Sequence, residues 1–189
     1  KKIKIEKISK KKYDKEEDKI AMRVIADHIR ALTFAIADGA IPSNEGRGYV
    51  LRRILRRASR YGRKLEMHKP FLFKLVGDLV SNMGDVFPEI KGKQEYIEKV
   101  IKAEEESFNA TLDRGIELFD QITKELVEKD KKIIPGVAVF KLYDTFGFPA
   151  DLTNVMAREK GLSIDEEGFE KLMSKQKQKA RDASKEKMA

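Results

Sequence analysis

The segment from Arg47 to Lys64 carries eight basic residues and no acidic one, and their spacing predicts a helix with two sharply different sides. At about 100° per residue, Arg52, Arg53, Arg56, Arg57, Arg60 and Arg63 fall within an arc of roughly 140° that also takes in Tyr49. Val50, Leu51, Ile54, Leu55, Ala58 and Leu65 occupy the rest of the circumference. One side is expected to pack inward and the other to meet an anion.

The same three- and four-residue steps recur elsewhere. Met22, Ile25, Ile29, Leu32 and Ile36 predict a helix over Glu17–Asp38, with Gly39 supplying the left-handed residue that ends it. Ser43 or Asn44 is expected to cap the Arg-rich helix, with Glu45 in its first turn complementing the dipole. A third helix is expected from Pro70 to Met83, where Phe71, Leu72, Leu75, Val76, Leu79, Val80 and Met83 form the buried stripe. A long helix from Lys93 to Val127 follows from Ile97, Ile101, Phe108, Leu112, Phe119, Ile122 and Leu126, interrupted by Glu104, Glu105 and Glu106, where it is expected to be solvated or kinked.

Pro135-Gly136 reads as a turn, followed by a short helix to Tyr143, a bend at Gly147 and Pro149, and a helix ending near Gly161. Ser163-Ile-Asp-Glu166 resembles a capping box opening a polar helix. No segment shows sustained strand alternation, so the expected fold class is all-α: an irregular helical bundle with one long helix. Residues 1–16, with Ile3, Ile5 and Ile8, form a Lys-rich segment that is a short strand, a helix start or a disordered tail. The expected organisation is that N-terminal segment, a helical domain over 17–162, and a polar C-terminal helix over 163–189.

Composition excludes more than it selects. At 189 residues and 41% hydrophobic content there is enough material for a sizeable core. There is no cysteine, and the only histidines, His28 and His68, lie in different segments, so neither a metal site nor a thiol nucleophile is expected. The net charge of +8 favours an anionic partner, although 40 basic against 32 acidic residues also describes a mixed, heavily charged surface. No apolar run approaches the ~20 residues of a membrane span, so a cytoplasmic chain without a membrane partner is expected. The start without methionine suggests a piece of something longer.

Arginine rather than lysine at six positions of one arc favours phosphate contact, because the planar fork pairs with phosphate oxygens at two points. The expected backbone-binding set is Arg47, Tyr49, Arg52, Arg53, Arg56, Arg57, Arg60, Arg63 and Lys64. Asn44, just before this helix, carries both a donor and an acceptor; it is either an ordinary cap or a reader of a base edge. Asp144, amid apolar neighbours, either caps a bend or accepts from a base amine. His28 reads as a partly buried structural histidine, and no residue set assembles a catalytic centre.

Two stretches, "MRVIADHIRALTFAIADGAIPSNEGRGYVLRRILRRASRYGRKL" and "VAVFKLYDTFGFPADLT", closely resemble alanyl-tRNA synthetase, in the helical tRNA-recognition region that follows its class II aminoacylation core. The resemblance covers roughly residues 17–185, and the Lys-rich start is similar to the end of the preceding core. It implies binding to the acceptor stem of alanine tRNA, with Asn44 and Asp144 approaching its G·U wobble pair from either groove and the arginines holding the backbone. It also implies that ATP and Mg act in the catalytic core of the parent enzyme, with no cofactor and no aminoacylation in this part. Two other readings start from the same residues: a stand-alone helical RNA- or DNA-binding module without base selectivity, and a structural bundle whose charges serve solubility.

Overall fold

The computed structural model describes residues 5–186. In chain order its elements are α1 (Ile5–Ser9), α2 (Glu16–Ala37), α3 (Gly46–Lys64), α4 (Lys74–Met83), α5 (Pro88–Gly92), α6 (Gln94–Glu128), β1 (Ile133–Ile134), α7 (Gly136–Phe146), α8 (Ala150–Glu159), β2 (Ser163–Ile164) and α9 (Glu166–Glu186). The all-α expectation holds; the only strands among the described residues are two-residue segments paired in parallel, Ile133 with Ser163 and Ile134 with Ile164. Contacts divide the chain into two compact units, 1–110 and 111–189, with the division inside α6. This partition differs from the three segments expected from the sequence.

In the first unit α2 packs along α3. Ile25, Ile29, Leu32 and Ile36 of α2 are buried with Leu51, Leu55 and Ala58 of α3, and Leu72, Leu75, Val76, Ile97 and Ile101 complete the core. Gly39 (φ 85°) follows α2, its N–H donating to the Ile36 carbonyl and that of Ala40 to Ala35, the paired bonds of a Schellman end. The N-terminal segment forms helix α1 with Ile5 buried, whereas Ile3 lies outside the described residues. Val50, assigned by periodicity to the packed side of α3, is instead 49% exposed.

At Glu104–Glu106 α6 continues as a helix; Glu106 is exposed, as expected of a solvated patch, whereas Glu105 is fully buried. Its carboxylate accepts from the Phe71 N–H at 3.0 and 3.1 Å and from the Leu72 N–H at 3.0 Å. Those donors follow Pro70 at the start of a helical segment, where backbone N–H groups lack intrahelical partners, so α6 caps the next element from outside. The expected helix start at Pro70 is therefore corrected: residues 71–73 form a tighter turn, with Lys74 bonded to Phe71 and Leu75 to Leu72, and α4 begins at Lys74. Burial pushes the Glu105 carboxyl up to about 7, against the two backbone donors and Arg63, which pull it down.

In the second unit α7 packs against α9, and Tyr143 meets the Phe169 ring edge-on at 5.6 Å. The expected capping box is also corrected. Ser163 is used in the parallel pair, and Asp165 does the capping: Oδ1 accepts from the Gly168 N–H of α9 (2.9 Å) and Oδ2 from the Gly136 N–H of α7 (3.2 Å). The short helix expected to end near Tyr143 extends to Phe146, and Gly147 (φ 70°) turns the chain into Pro149 and α8. The C-terminal helix reaches Glu186; residues 187–189 of the polar tail lie outside the described residues.

Two stability predictions follow from these carboxylates. Glu105 has a raised folded pKa, so its contribution is complete below about pH 4.5 and is lost as pH rises through about 7. Denaturation of the intact chain and of Glu105→Gln at about pH 5 and about pH 8 is expected to differ by roughly 2–3 kcal/mol in its pH dependence, with the variant the flatter of the two. Asp165→Ala removes one cap from each of two helices, and urea unfolding is expected to show a loss of about 2 kcal/mol.

Candidate nucleic-acid interface

The loop before α3 is folded back onto its first turn. The Ser43 N–H donates to the Gly48 carbonyl at 3.0 Å, and a Cβ on Gly48 would stand 2.2 Å from Ser43 Oγ and 2.3 Å from the Ile41 carbonyl oxygen. Only glycine allows that approach, which fixes where residues 43–45 leave the helix. The N-cap residue is Glu45, in extended conformation and without a side-chain cap bond. The expectation that Ser43 or Asn44 caps α3, with Glu45 inside its first turn, is thus corrected. Ser43 Oγ instead bonds the Glu45 backbone (3.0 Å to its carbonyl, 3.4 Å from its N–H), and Asn44 Oδ1 accepts from Arg52 Nη1.

The arginine arc, expected to be one exposed face, is divided. Arg52 and Arg56, one turn apart, reach Glu104 of α6. Arg52 Nη2 donates to Oε2 at 3.1 Å, and Arg56 donates to Oε1 from Nε at 3.1 Å and from Nη2 at 2.9 Å. Arg52 Nε also lies 2.9 Å from Oε1, in ion-pair contact but at an angle too poor for a hydrogen bond. All three side chains are mostly covered, at 19%, 15% and 11% exposure for Arg52, Arg56 and Glu104. The Arg56 guanidinium lies over the Phe108 ring, 5.2 Å from its centroid.

Two more members of the arc are engaged within the fold. Arg60 is buried, its guanidinium 5.3 Å from the Tyr61 ring centroid, which corrects its placement on an exposed face. Arg63 Nη1 donates to the Met67 carbonyl at 2.6 Å. Arg47 and Lys64 are exposed at the two ends of α3, and Tyr49, Arg53 and Arg57 are half-buried. Arg53 lies over Tyr49 at 5.7 Å; burial, aided by Arg57, holds the His28 imidazole below its ordinary pKa, so His28 is neutral near pH 7.

Asp144 lies in the second unit. It is exposed, and its Oδ1 accepts from Gln176 Nε2 of α9 at 2.6 Å; it is not the bend-capping carboxylate in an apolar setting that its neighbours suggest. Glu104, Glu105 and Gln176 are the partners that sequence reasoning missed. A signal existed for the glutamates, because they fall between Ile101 and Phe108 on a stripe otherwise buried. A carboxylate in such a place needs a hydrogen-bonding partner. Gln176 offered no such signal, since it sits in a polar helix.

A family model for tRNA synthetases class II (A) matches residues 2–189. The chain belongs to this family. It is similar to the alanine-tRNA ligase of Chlorobium chlorochromatii (strain CaD3), 59% identical over 168 residues that make up 89% of this chain and 19% of the relative. Against the alanine-tRNA ligase of Carboxydothermus hydrogenoformans, the identity is 52% over 171 residues, 90% of this chain and 20% of the relative. For that of Streptococcus pneumoniae (strain Hungary19A-6), it is 52% over 177 residues, 94% and 20%. The resemblance to alanyl-tRNA synthetase therefore stands, and the chain spans about a fifth of the length of the curated relatives it matches.

Among the described residues, no group of three His, Cys, Asp or Glu side chains is placed to hold a metal ion, and no helix is long and apolar enough to cross a membrane. The divided arc makes a specific prediction. Arg56→Ala strands part of a covered carboxylate and is expected to lower stability by about 2 kcal/mol. Arg53→Ala, at a half-buried position, is expected to change it by less than about 1 kcal/mol; thermal unfolding of both variants checks the contrast.

Proposed function

We propose that the chain binds the acceptor stem of alanine tRNA and reads its G·U wobble pair, so that the remainder of an alanine-tRNA ligase can attach alanine to the held end. The observation that carries this reading is the cationic stripe of α3 beginning beside Asn44, in a chain belonging to the class II tRNA synthetases and similar to alanine-tRNA ligases. Phosphate contacts fix the register of a nucleic acid, and base contacts specify it. Backbone contact falls to Arg47, Tyr49, Arg53, Arg57 and Lys64. Arg52 and Arg56 share the Glu104 carboxylate, Arg63 donates to the Met67 carbonyl and Arg60 is buried, so these four are left out of the proposed contact set.

A wobble pair leaves the guanine 2-amino group unpaired in the minor groove, which in an RNA helix is wide and shallow. Asn44 suits that edge: its Oδ1 keeps a second lone pair beyond the one facing Arg52, and its amide nitrogen adds two donors. Asp144, an acceptor only, is repelled by phosphate and favoured where a base amine meets it. Gln176 leaves its other oxygen for that contact. The chemistry that uses ATP and Mg belongs, in this reading, to the rest of the ligase.

An acceptor-stem hairpin carrying G·U is expected to bind the chain more tightly than one carrying G·C. Asn44→Ala and Asp144→Ala should each lose roughly 1–3 kcal/mol of that difference while still binding. Arg53→Ala is expected to weaken both hairpins alike and to flatten the dependence of affinity on salt. Equal affinity of the intact chain for both hairpins, with the salt dependence retained, would replace this reading by a module that binds RNA without base selectivity.

A further inference from the structure

Glu104 lies 60 residues along the chain from Asn44, yet one side chain links them. Arg52 donates from Nη1 to Asn44 Oδ1 and from Nη2 to Glu104 Oε2, while Arg56 holds Oε1 of the same carboxylate from two nitrogens. We infer that Glu104 is a positioning residue for base reading, orienting the Asn44 carboxamide through Arg52; the inference rests on the reading of Asn44 given above.

The physical case begins with what an arginine beside an RNA would otherwise do. A guanidinium free to move is drawn to phosphate, where its fork finds two oxygens. Glu104 removes that freedom by occupying the far edge of Arg52 with a carboxylate that is only 11% exposed and is itself held by Arg56. The base of this arrangement is firm, since Ile101 and Phe108, on either side of Glu104 along α6, are buried in the fold and Arg56 lies over the Phe108 ring. Arg52 is thereby kept on Asn44 instead of on the backbone of the ligand. Below, the loop geometry at Gly48 fixes the main chain of Asn44; above, Arg52 fixes its side chain. A reader held on both sides loses less side-chain freedom when it binds, and that difference is greatest for the base pair it fits.

Lysine at position 52 would keep the charge but could not present two edges to two partners. The test therefore measures binding of the G·U and G·C hairpins to the 189-residue chain and to Asn44→Ala, Glu104→Gln, Arg52→Lys and the double variant Asn44→Ala/Glu104→Gln, with helix content monitored by circular dichroism. Glu104→Gln and Arg52→Lys are expected to reduce the G·U preference by roughly ten-fold, close to the loss in Asn44→Ala. Arg52→Lys should leave the salt dependence as in the intact chain. The double variant should discriminate no worse than Asn44→Ala alone, because both changes act on one contact.

If the intact chain prefers G·U and Asn44→Ala abolishes the preference, but Arg52→Lys retains it, the positioning role is overturned while the base-reading role survives. If Glu104→Gln does not fold, Arg52→Lys alone decides. An intact chain with no preference for G·U overturns the reading of Asn44, and the role of Glu104 with it. Additive losses in the double variant place the effect of Glu104 elsewhere than on Asn44, which also overturns the inference.

Discussion

Adjacent carboxylates on α6 hold the first unit in register. Glu104 and Glu105 lie about 100° apart around the helix, so they face different neighbours. Glu104 takes the Arg52 and Arg56 guanidinium groups of α3, and Glu105 takes the two backbone N–H groups that open the segment leading to α4. A buried carboxylate is tolerable only when its oxygens are satisfied. Because each partner comes from a different element, satisfying both fixes α6 against α3 and the start of α4 at the same time. The azimuth of α3 is shared between the burial of Leu51, Leu55 and Ala58 and the bonds of Arg52 and Arg56 to Glu104.

That azimuth divides one cationic arc into two kinds of chemistry. Arg52 and Arg56 are turned inward and share the Glu104 carboxylate, while Arg47 and Lys64 at the two ends of α3 are exposed. Contact with phosphate is strong and indifferent to sequence, so an arc wholly committed to it would hold any duplex. In the proposed reading, committing part of the arc to Glu104 and Asn44 provides a rigid setting for the Asn44 carboxamide. In the second unit Gln176 holds one Asp144 carboxylate oxygen, and the α7–α9 packing holds the helix that carries it.

Much of the fold was legible because helical periodicity is a local signal. The stripes over α2, α4 and α6 name side chains that are buried, save Met83 and Ile122, which are half-buried, and the ends of α6 fall within a residue of where the pattern stops. Errors gathered where a polar group had more than one possible partner. Ser163 had the spacing of a cap but lies in a parallel pair with β1, and Asp165, two residues on, caps two helices at once. Ser43 and Asn44 stood at a cap position and were drawn elsewhere by the backbone of Glu45 and by Arg52. Glu104 and Glu105 looked like breaks in a stripe because a charge was weighed without the partner that makes its burial tolerable.

The candidate site shows the same boundary. By itself the sequence determined that α3 is a helix, that its arginines share one arc, and that Asn44 stands at its entrance, because each of these depends on neighbours within a few turns. It carried the resemblance to alanyl-tRNA synthetase for the same reason, in two continuous stretches of residues. Only the tertiary structure decided that Arg52, Arg56 and Arg60 are turned into the fold, that Asn44 is gripped by Arg52, and that Gln176 meets Asp144. The Arg52 and Arg56 bonds to Glu104 and the Gln176 bond to Asp144 join residues 32 to 52 positions apart, and Asn44 and Arg52, eight apart, meet only because the loop before α3 folds back. Helical periodicity states which side of a helix a residue is on, whereas a hydrogen bond depends on which side chain another element brings within 3 Å of it.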